Sequence, residues 1–469
     1  MKRGFLEVFI SIFICGLHEE GNCKLPIKTV LFTGKLKLAT IYRYTRMIKS
    51  NNMSKDLRIV LTVYFMIFFM SFAKAQKDQN QQFLQKVGVL DSLYSTVLDE
   101  SRKIYVQLPA SYSPERKQAY PVVYVLDGEV FLPIVHAVHN LYSGGFIPEM
   151  VMVGISNEVH RVRDLTTSPI SSKYGMPFRE ENGKADNFRT FMETELIPFV
   201  EGKYPVTNHR TLIGHSYGGL FTVATLLSQP DLFANYLAID PSLDWDNQKL
   251  VNDSEKILAT QQYTNKGLFM SLSGQLHMQN SQITIDNVME DTTDFTVFPR
   301  ANIAFSNMVN ENAKNGLAFE WKFYPRDIHG TIPLPSIMDG LISLFQWYQM
   351  ENTDRFNSFD TPKEELLSII RYREEKLKEH FGYSEPPYPE ELLTMLGHMN
   401  MDMQQTGKAQ MYFELATEYY PWSADAHGSM AEYYAAQGDF AAAIKYVTKA
   451  FELSGDDRYE ERINELKSK

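Results

Sequence analysis

The stretch Gly214-His215-Ser216-Tyr217-Gly218, followed by Gly219, limits what this chain can fold into more than any other. It reads G-x-S-x-G. It comes directly after Arg210-Thr211-Leu212-Ile213, an apolar β-type run, and directly before Leu220 to Leu227, which suits a buried helix. Strand, sharp turn and helix is the setting in which this motif presents a serine hydroxyl as a nucleophile. A serine held in a strained turn needs glycines beside it, because a Cβ there would strike the neighbouring strand or helix. The competing reading is a glycine turn with no chemistry.

The chain has 469 residues, is 44% hydrophobic and 13% aromatic, and so can build a large core and more than one domain. Its net charge of −11 is unevenly spread. Residues 1–75 hold 12 Lys+Arg against 4 Asp+Glu, which leaves 34 against 53 for the rest. A body this acidic argues against nucleic-acid or anionic-membrane binding, both of which need phosphates neutralised by Lys and Arg. The two cysteines, Cys15 and Cys23, lie near the start, which excludes a disulfide framework, a cysteine zinc site and a cysteine nucleophile from the body.

Met53 to Arg58 is short and charged, Ile59 to Ala73 runs 15 residues without a charge, and Ala73-Lys74-Ala75 matches a small-residue cleavage site before Gln76. These are the three parts of a signal peptide at 53–75, and the run is short of the ~20 apolar residues a membrane span needs. Export to the periplasm or exterior is expected, with no membrane span after cleavage. Residues 1–52 are either an extension ahead of a true start at Met53 or a targeting segment of their own.

From Val87 to Met350 strand-like runs alternate with amphipathic stretches. The strands are expected at 94–98, 101–108, 122–126, 150–155, 211–213, 236–239, 268–272 and 320–324, and helices at 188–204 and 337–350. That alternation predicts an α/β fold, a mainly parallel sheet covered by helices on both faces with an antiparallel start. The domain is expected to span 76–350. Residues 351–388 read as a linker holding a charged helix from Pro362 to Phe381 and ending in the breaker Glu385-Pro386-Pro387-Tyr388-Pro389. Residues 389–469 repeat at 34 residues: Gly397 pairs with Ala431, Ala409 with Ala443 and Ala416 with Ala450. This period resembles tetratricopeptide repeats and predicts a small all-α domain. Two copies are fewer than such an array needs alone, so they are expected to pack on the linker helix or the body.

A serine hydroxyl is a weak nucleophile near neutral pH and needs a base, usually a histidine oriented by an acid. Where the nucleophile sits on a G-x-S-x-G elbow the chain order is Ser, acid, His. Only His277, His329, His380, His398 and His427 follow Ser216. His398 and His427 fall in the repeats and His380 in the linker helix, while His277 follows the strand after which the acid belongs. His329 follows the last strand and is the expected base. His136 and His139, three apart on one helix, lack a third ligand and read as a helix face rather than a metal site.

Tyr120-Pro121-Val122-Val123-Tyr124-Val125-Leu126-Asp127-Gly128, Val153 to Asn157 with Arg161-Val162-Arg163-Asp164-Leu165-Thr166, the elbow itself and His329 to Leu334 together resemble the esterase D-like α/β-hydrolases. That group includes enterochelin esterases, feruloyl esterases and mycolyltransferases. The resemblance spans roughly 87–350. It implies an oxyanion hole from two backbone N–H groups, those of Tyr217 and Glu129. It also implies an acid just after the strand 268–272, where this chain reads Ser273-Gly274-Gln275-Leu276-His277-Met278 without a carboxylate. The candidates are Asp286, Asp291 and Asp294 in the following loop, or Asp240 at the end of the preceding strand. Asp291 is favoured, with a Ser–His dyad as the alternative; Asp327 is too close to His329 in sequence to orient its ring.

The sequence therefore predicts an exported serine esterase with Ser216, His329 and Asp291 as catalytic residues. It implies no metal and no cofactor, and a small-molecule or glycan ester as substrate, such as a siderophore lactone or a polysaccharide acyl ester. A protein partner is expected on the repeats. The alternatives are a binding protein with a degraded hydrolase body, or an acyltransferase of the same fold.

Overall fold

The computed structural model describes residues 87–114 and 118–469. The signal peptide expected at 53–75 and the stretch before it lie outside the described residues. Among those described, no helix is long and apolar enough to cross a membrane.

Eight strands form one sheet: β1 (Val89–Ser95), β2 (Glu100–Gln107), β3 (Tyr120–Val125), β4 (Val151–Ile155), β7 (Val206–His215), β8 (Asn235–Ile239), β9 (Lys266–Ser273) and β10 (Leu317–Tyr324). Their order is β1-β2-β4-β3-β7-β8-β9-β10. The pairs β1–β2 and β2–β4 are antiparallel and the remaining pairs parallel. A two-stranded hairpin, β5 (Ser172–Lys173) with β6 (Met176–Pro177), stands apart from it. Strands β3, β4 and β8 are buried along their whole length, as parallel strands covered on both faces must be.

The two-residue period of a strand divides the core. Val122 and Tyr124 of β3 face one apolar cluster, and Val123 and Val125 face the other. The first cluster is closed by α2 (Ala185–Phe191), α3 (Tyr217–Ser228), α4 (Trp245–Thr260) and α5 (Val297–Glu311). The second is closed by α1 (Gly128–Tyr142) and α6 (Pro333–Leu344). This is the expected α/β-hydrolase sheet with helices on both faces.

Four expected elements differ. The strand expected at 94–98 lies at Val89–Ser95, with 96–99 forming the turn into β2, and the helix expected at 337–350 runs from Pro333 to Leu344. The single helix at 188–204 is broken by a wide turn at Met192–Leu196 before Ile197–Lys203 resumes. Pro198 has no N–H to give and its ring crowds the preceding turn, which the wide turn accommodates. Glu195 of that turn accepts hydrogen bonds from the Thr96 and Val97 amides at 2.9 and 3.2 Å and so holds the β1–β2 turn. The strand expected at 211–213 runs from Val206 to His215, because its first residues pair with β3 from Tyr120 onward.

Helix α7 (Lys363–Phe381) joins the body to the tail. Buried Arg373 donates to the carbonyls of Tyr348 and Pro387, each at 2.8 Å. The Phe381 ring meets those of His209 and Trp347, and Tyr383 donates to Thr207 at 3.0 Å. Beyond it α8 (Glu390–Asp402) pairs with α9 (Thr406–Tyr419), and α10 (Ala424–Ala436) with α11 (Phe440–Ser454). Gly397 lets α9 approach, since a Cβ there would lie 2.4 Å from the Phe413 ring. Two repeats suffice because both ends are covered. Leu366 and Ile370 of α7 share a core with Met411 and Leu415. Ile463 and Leu466 of α12 (Asp457–Lys467) close the other end against Ala431 and Val447.

Candidate active site

The chain passes from β7 into α3 through one residue, Ser216, whose φ of 59° and ψ of −115° are sparsely populated for a side chain with a Cβ. Its own backbone holds it there. Its N–H donates to Ile239 at 3.0 Å, and its carbonyl accepts from Leu220 at 2.9 Å and Ser242 at 3.0 Å. The turn is tight enough that a Cβ on Gly214 would sit 2.2 Å from the Gly218 carbonyl oxygen. The Ser216 hydroxyl is half-buried and lies 3.2 Å from that of Ser242. Helix α3 begins at the next residue, Tyr217, so its first backbone N–H groups have no acceptor within the helix and point toward the turn.

His329 lies in the loop after β10, as expected. Its Nδ1 is 2.6 Å from Oδ2 of Asp240, the residue that follows β8. Asp240 is fully buried and, like Ser216, has a positive φ, 42°. Its other oxygen accepts from the Ser273 amide at 2.8 Å. A carboxylate can only accept, so the ring proton belongs on Nδ1 and Nε2 is left as an acceptor. The His329 loop is held by two further bonds. Gln275 Oε1 accepts the His329 amide at 3.2 Å, and His215 Nε2 donates to the His329 carbonyl at 2.9 Å. The His215 and His329 rings lie 4.5 Å apart. Burial, with His329 beside it, lowers the His215 pKa to about 4, so this ring stays neutral at physiological pH.

Asp291 is not brought to His329. Its carboxylate accepts from the Thr293 amide at 2.7 Å and the Thr293 and Thr296 hydroxyls at 2.6 and 3.0 Å, which ties the turn ahead of α5. Those bonds hold its pKa below the usual carboxylate range. The carboxylate on the histidine is Asp240, one strand earlier than the position the family resemblance implies. Its place at a strand end, before Pro241, was readable in the sequence. The choice among four aspartates was not, because it depends on which strand lies beside β7.

Tyr217 and Glu129 lie at the starts of α3 and α1, the two helices that leave the same ends of β7 and β3. Ahead of Glu129, buried Asp127 has a φ of 51° and is clamped by Arg161 through two bonds, at 2.7 and 2.8 Å. Arg161 also donates to the His215 carbonyl at 3.2 Å, which links the β3 turn to the elbow. Glu129 is exposed as a residue, yet its carboxyl is partly desolvated, and this raises its pKa. Arg163 and Asp164 pair with each other and with Glu100 and Arg102, pinning their loop.

Beside the elbow, Lys173 of the β5–β6 hairpin lies within 5.3 Å of the Tyr174, Tyr217 and Trp245 ring centres and 3.2 Å from buried Asp244. His139 is buried in α1 and accepts the Met150 amide at 2.9 Å; burial lowers its pKa to about 4. Neighbouring His136 contacts Asn140. Among the described residues no group of three or more His, Cys, Asp or Glu could hold a metal ion. A cavity of about 320 Å³ lined by His209, Arg210, Lys266 and Phe381 lies at the opposite ends of the strands and shares no residue with the site around Ser216.

The family model described as "Putative esterase" matches residues 95–293, and the tetratricopeptide-repeat model matches 390–421 and 424–457. The chain is 31% identical over 211 residues to the ferri-bacillibactin esterase BesA of Bacillus subtilis, covering 41% of this chain and 72% of that one. It is also 31% identical over 186 residues to a siderophore enterobactin esterase of Emericella nidulans, covering 36% of this chain and 59% of the relative. Among solved structures, an IroE-like serine hydrolase from Shewanella oneidensis superposes with a TM-score of 0.58 at 27% identity over 71% of this chain and 99% of its own. An uncharacterised protein from Capnocytophaga ochracea, 19% identical, shares the fold with a TM-score of 0.52 over 81% and 99%. A serine on a strained elbow, a histidine in the loop after the last strand and this level of similarity to named esterases lead to one conclusion: the chain belongs to the esterase family of α/β-hydrolases, is a carboxylic ester hydrolase, and carries tetratricopeptide repeats at its C-terminal end.

Proposed function

We propose that this chain is an exported serine esterase that cleaves a siderophore-type ester or lactone through Ser216, His329 and Asp240. The observation that carries the mechanism is the 2.6 Å contact between His329 Nδ1 and Asp240 Oδ2, beside a serine in the elbow conformation. Ser216 Oγ attacks the ester carbonyl carbon while its proton passes to His329 Nε2. Asp240 keeps Nδ1 protonated and stabilises the imidazolium that forms. The Tyr217 and Glu129 backbone N–H groups receive the developing oxyanion. Collapse expels the alcohol, which takes the proton from His329 and leaves an acyl-serine. Water then attacks the acyl carbon, its proton moves to His329, and Ser216 is released.

The names of the relatives support a siderophore-type substrate: one is a ferri-bacillibactin esterase and another a siderophore enterobactin esterase. Export rests on the signal-like segment 53–75, and a protein partner on the tail rests on the repeats. The test uses the mature chain from Gln76. A fluorophosphonate should label Ser216, and a catecholate trilactone should be hydrolysed faster than a feruloyl or acetyl polysaccharide ester. A folded protein that stays unlabelled while a control esterase reacts overturns the mechanism. Faster cleavage of the polysaccharide ester overturns the substrate assignment alone.

A further inference from the structure

The mechanism above leaves one group unused at the reacting atom. Ser242 lies two residues beyond Asp240, and its hydroxyl is 3.2 Å from Ser216 Oγ. It is 4% exposed, so its hydroxyl needs a protein partner, and Ser216 Oγ is that partner. The backbone that carries it is fixed at several points. Pro241 has a restricted φ and its carbonyl accepts from the buried side chain of Asn302 at 2.9 Å. The Ser242 amide donates to the Ser216 carbonyl at 3.0 Å, and its own carbonyl accepts the Trp245 amide at 3.1 Å. Nucleophile and second hydroxyl are thus locked together by a backbone bond and a side-chain contact.

At rest either hydroxyl can donate across this contact. Asp240 holds the Nδ1 proton of His329, so Ser216 must give its own proton to Nε2 in order to attack. In the acyl-enzyme Ser216 Oγ carries no hydrogen and only Ser242 can donate. Resting on the reading of Ser216 as the nucleophile, we propose that Ser242 is a catalytic residue whose hydroxyl donates to Ser216 Oγ and makes that oxygen a better leaving group when the acyl-enzyme is hydrolysed.

In that step a bond forms between the water oxygen and the acyl carbon, and the bond from the acyl carbon to Ser216 Oγ breaks. The water proton moves to His329 Nε2 and then to Ser216 Oγ. Ser242 keeps its own proton throughout. Its hydrogen bond strengthens as negative charge returns to Oγ, so it stabilises the transition state more than the resting acyl-enzyme. In acylation the same bond occupies a lone pair of the attacking oxygen, which offsets part of its benefit there. Losing the donor therefore slows deacylation more than acylation.

The experiment compares the mature protein with Ser242→Ala and Ser242→Thr, using a p-nitrophenyl ester in steady state and in single-turnover deacylation. For Ser242→Ala the deacylation constant is expected to fall about 10-fold, by analogy with the loss of one oxyanion donor but at a more weakly charged oxygen. kcat and KM should fall together, kcat/KM should stay within about twofold, and a burst of p-nitrophenol should appear. Ser242→Thr, which keeps the hydroxyl, should restore deacylation. A merely structural serine would lower thermal stability without moving kcat and KM together. A deacylation constant within about twofold of wild type, or equal losses in kcat and kcat/KM without a burst, overturns the proposal. If Ser242→Ala does not fold, Ser242→Cys, a weaker donor of similar size, must show an intermediate deacylation constant or the proposal falls. Full turnover by a folded Ser216→Ala protein would instead overturn the reading of the nucleophile, a result distinct from any on Ser242.

Discussion

His329 and Asp240 are joined by a 2.6 Å contact although 89 residues separate them, and the aspartate is completely buried while the histidine ring is 38% exposed. The acid is the fixed partner and the base the accessible one. Asp240→Asn would present an amide to Nδ1 and favour the wrong tautomer. It should lower kcat by about 10²–10⁴-fold on a p-nitrophenyl ester, while Asp291→Asn stays within about twofold of wild type. The reverse pattern would transfer the acid role to Asp291.

Arg161 clamps Asp127 at the turn before Glu129. Asp127 is 5% exposed, so its carboxylate depends on this partner, although Arg161 is itself about one-third exposed. Arg161→Met should cost about 1–3 kcal/mol in urea unfolding, below the full cost of stranding a deeply buried charge. It should also lower kcat, because the Asp127 turn sets the start of α1. A stable variant with normal kcat would show that the clamp is dispensable.

Glu385 stands in the proline-rich segment after α7, where burial raises its pKa to about 7. The folded state therefore favours the protonated carboxyl. Its contribution to stability is complete below about pH 4.5 and is lost as the pH rises to about 7, above which the loss is constant. Glu385→Gln cannot ionise. It should raise Tm at pH 8 relative to wild type and change it little at pH 5, with a difference of about 1–3 kcal/mol, since the residue is only partly enclosed. Equal shifts at both pH values would contradict this.

Helix α7 belongs with the body as much as with the tail, through Arg373, Phe381 and Tyr383. A chain ending after Pro389 should keep esterase activity. One ending after Gln349 should be less stable by several °C, because it uncovers Trp347 and His209 and removes the donor that satisfies the Tyr348 carbonyl. Turnover of a p-nitrophenyl ester checks the first outcome, and scanning calorimetry of the two truncations checks the second.

The sheet and the elbow were legible because each rests on local signals: apolar runs for β3, β4, β8 and β9, and glycines around Ser216. His329 was legible through chain order. The acid was not, because Asp240 and Asp291 look alike in sequence and only the strand order β7-β8-β9 puts one of them beside the elbow. Ser242 and His215 gave no signal of their own. A serine after a proline and a histidine inside a motif are common, and their roles come from contacts with Ser216 and His329 that the fold creates. The break near Pro198 could have been foreseen from the proline itself.

The attachment point of the tail has a mechanical meaning. Thr207 and His209, where α7 docks, lie near the start of β7, while Ser216 follows its far end; at about 3.3 Å per residue the two are roughly 20–30 Å apart. Helix α7 and the segment after it therefore attach the tail at the end of the sheet opposite Ser216. A partner bound by the repeats, as proposed above, would then act at a distance from Ser216, as a tether rather than as part of the site.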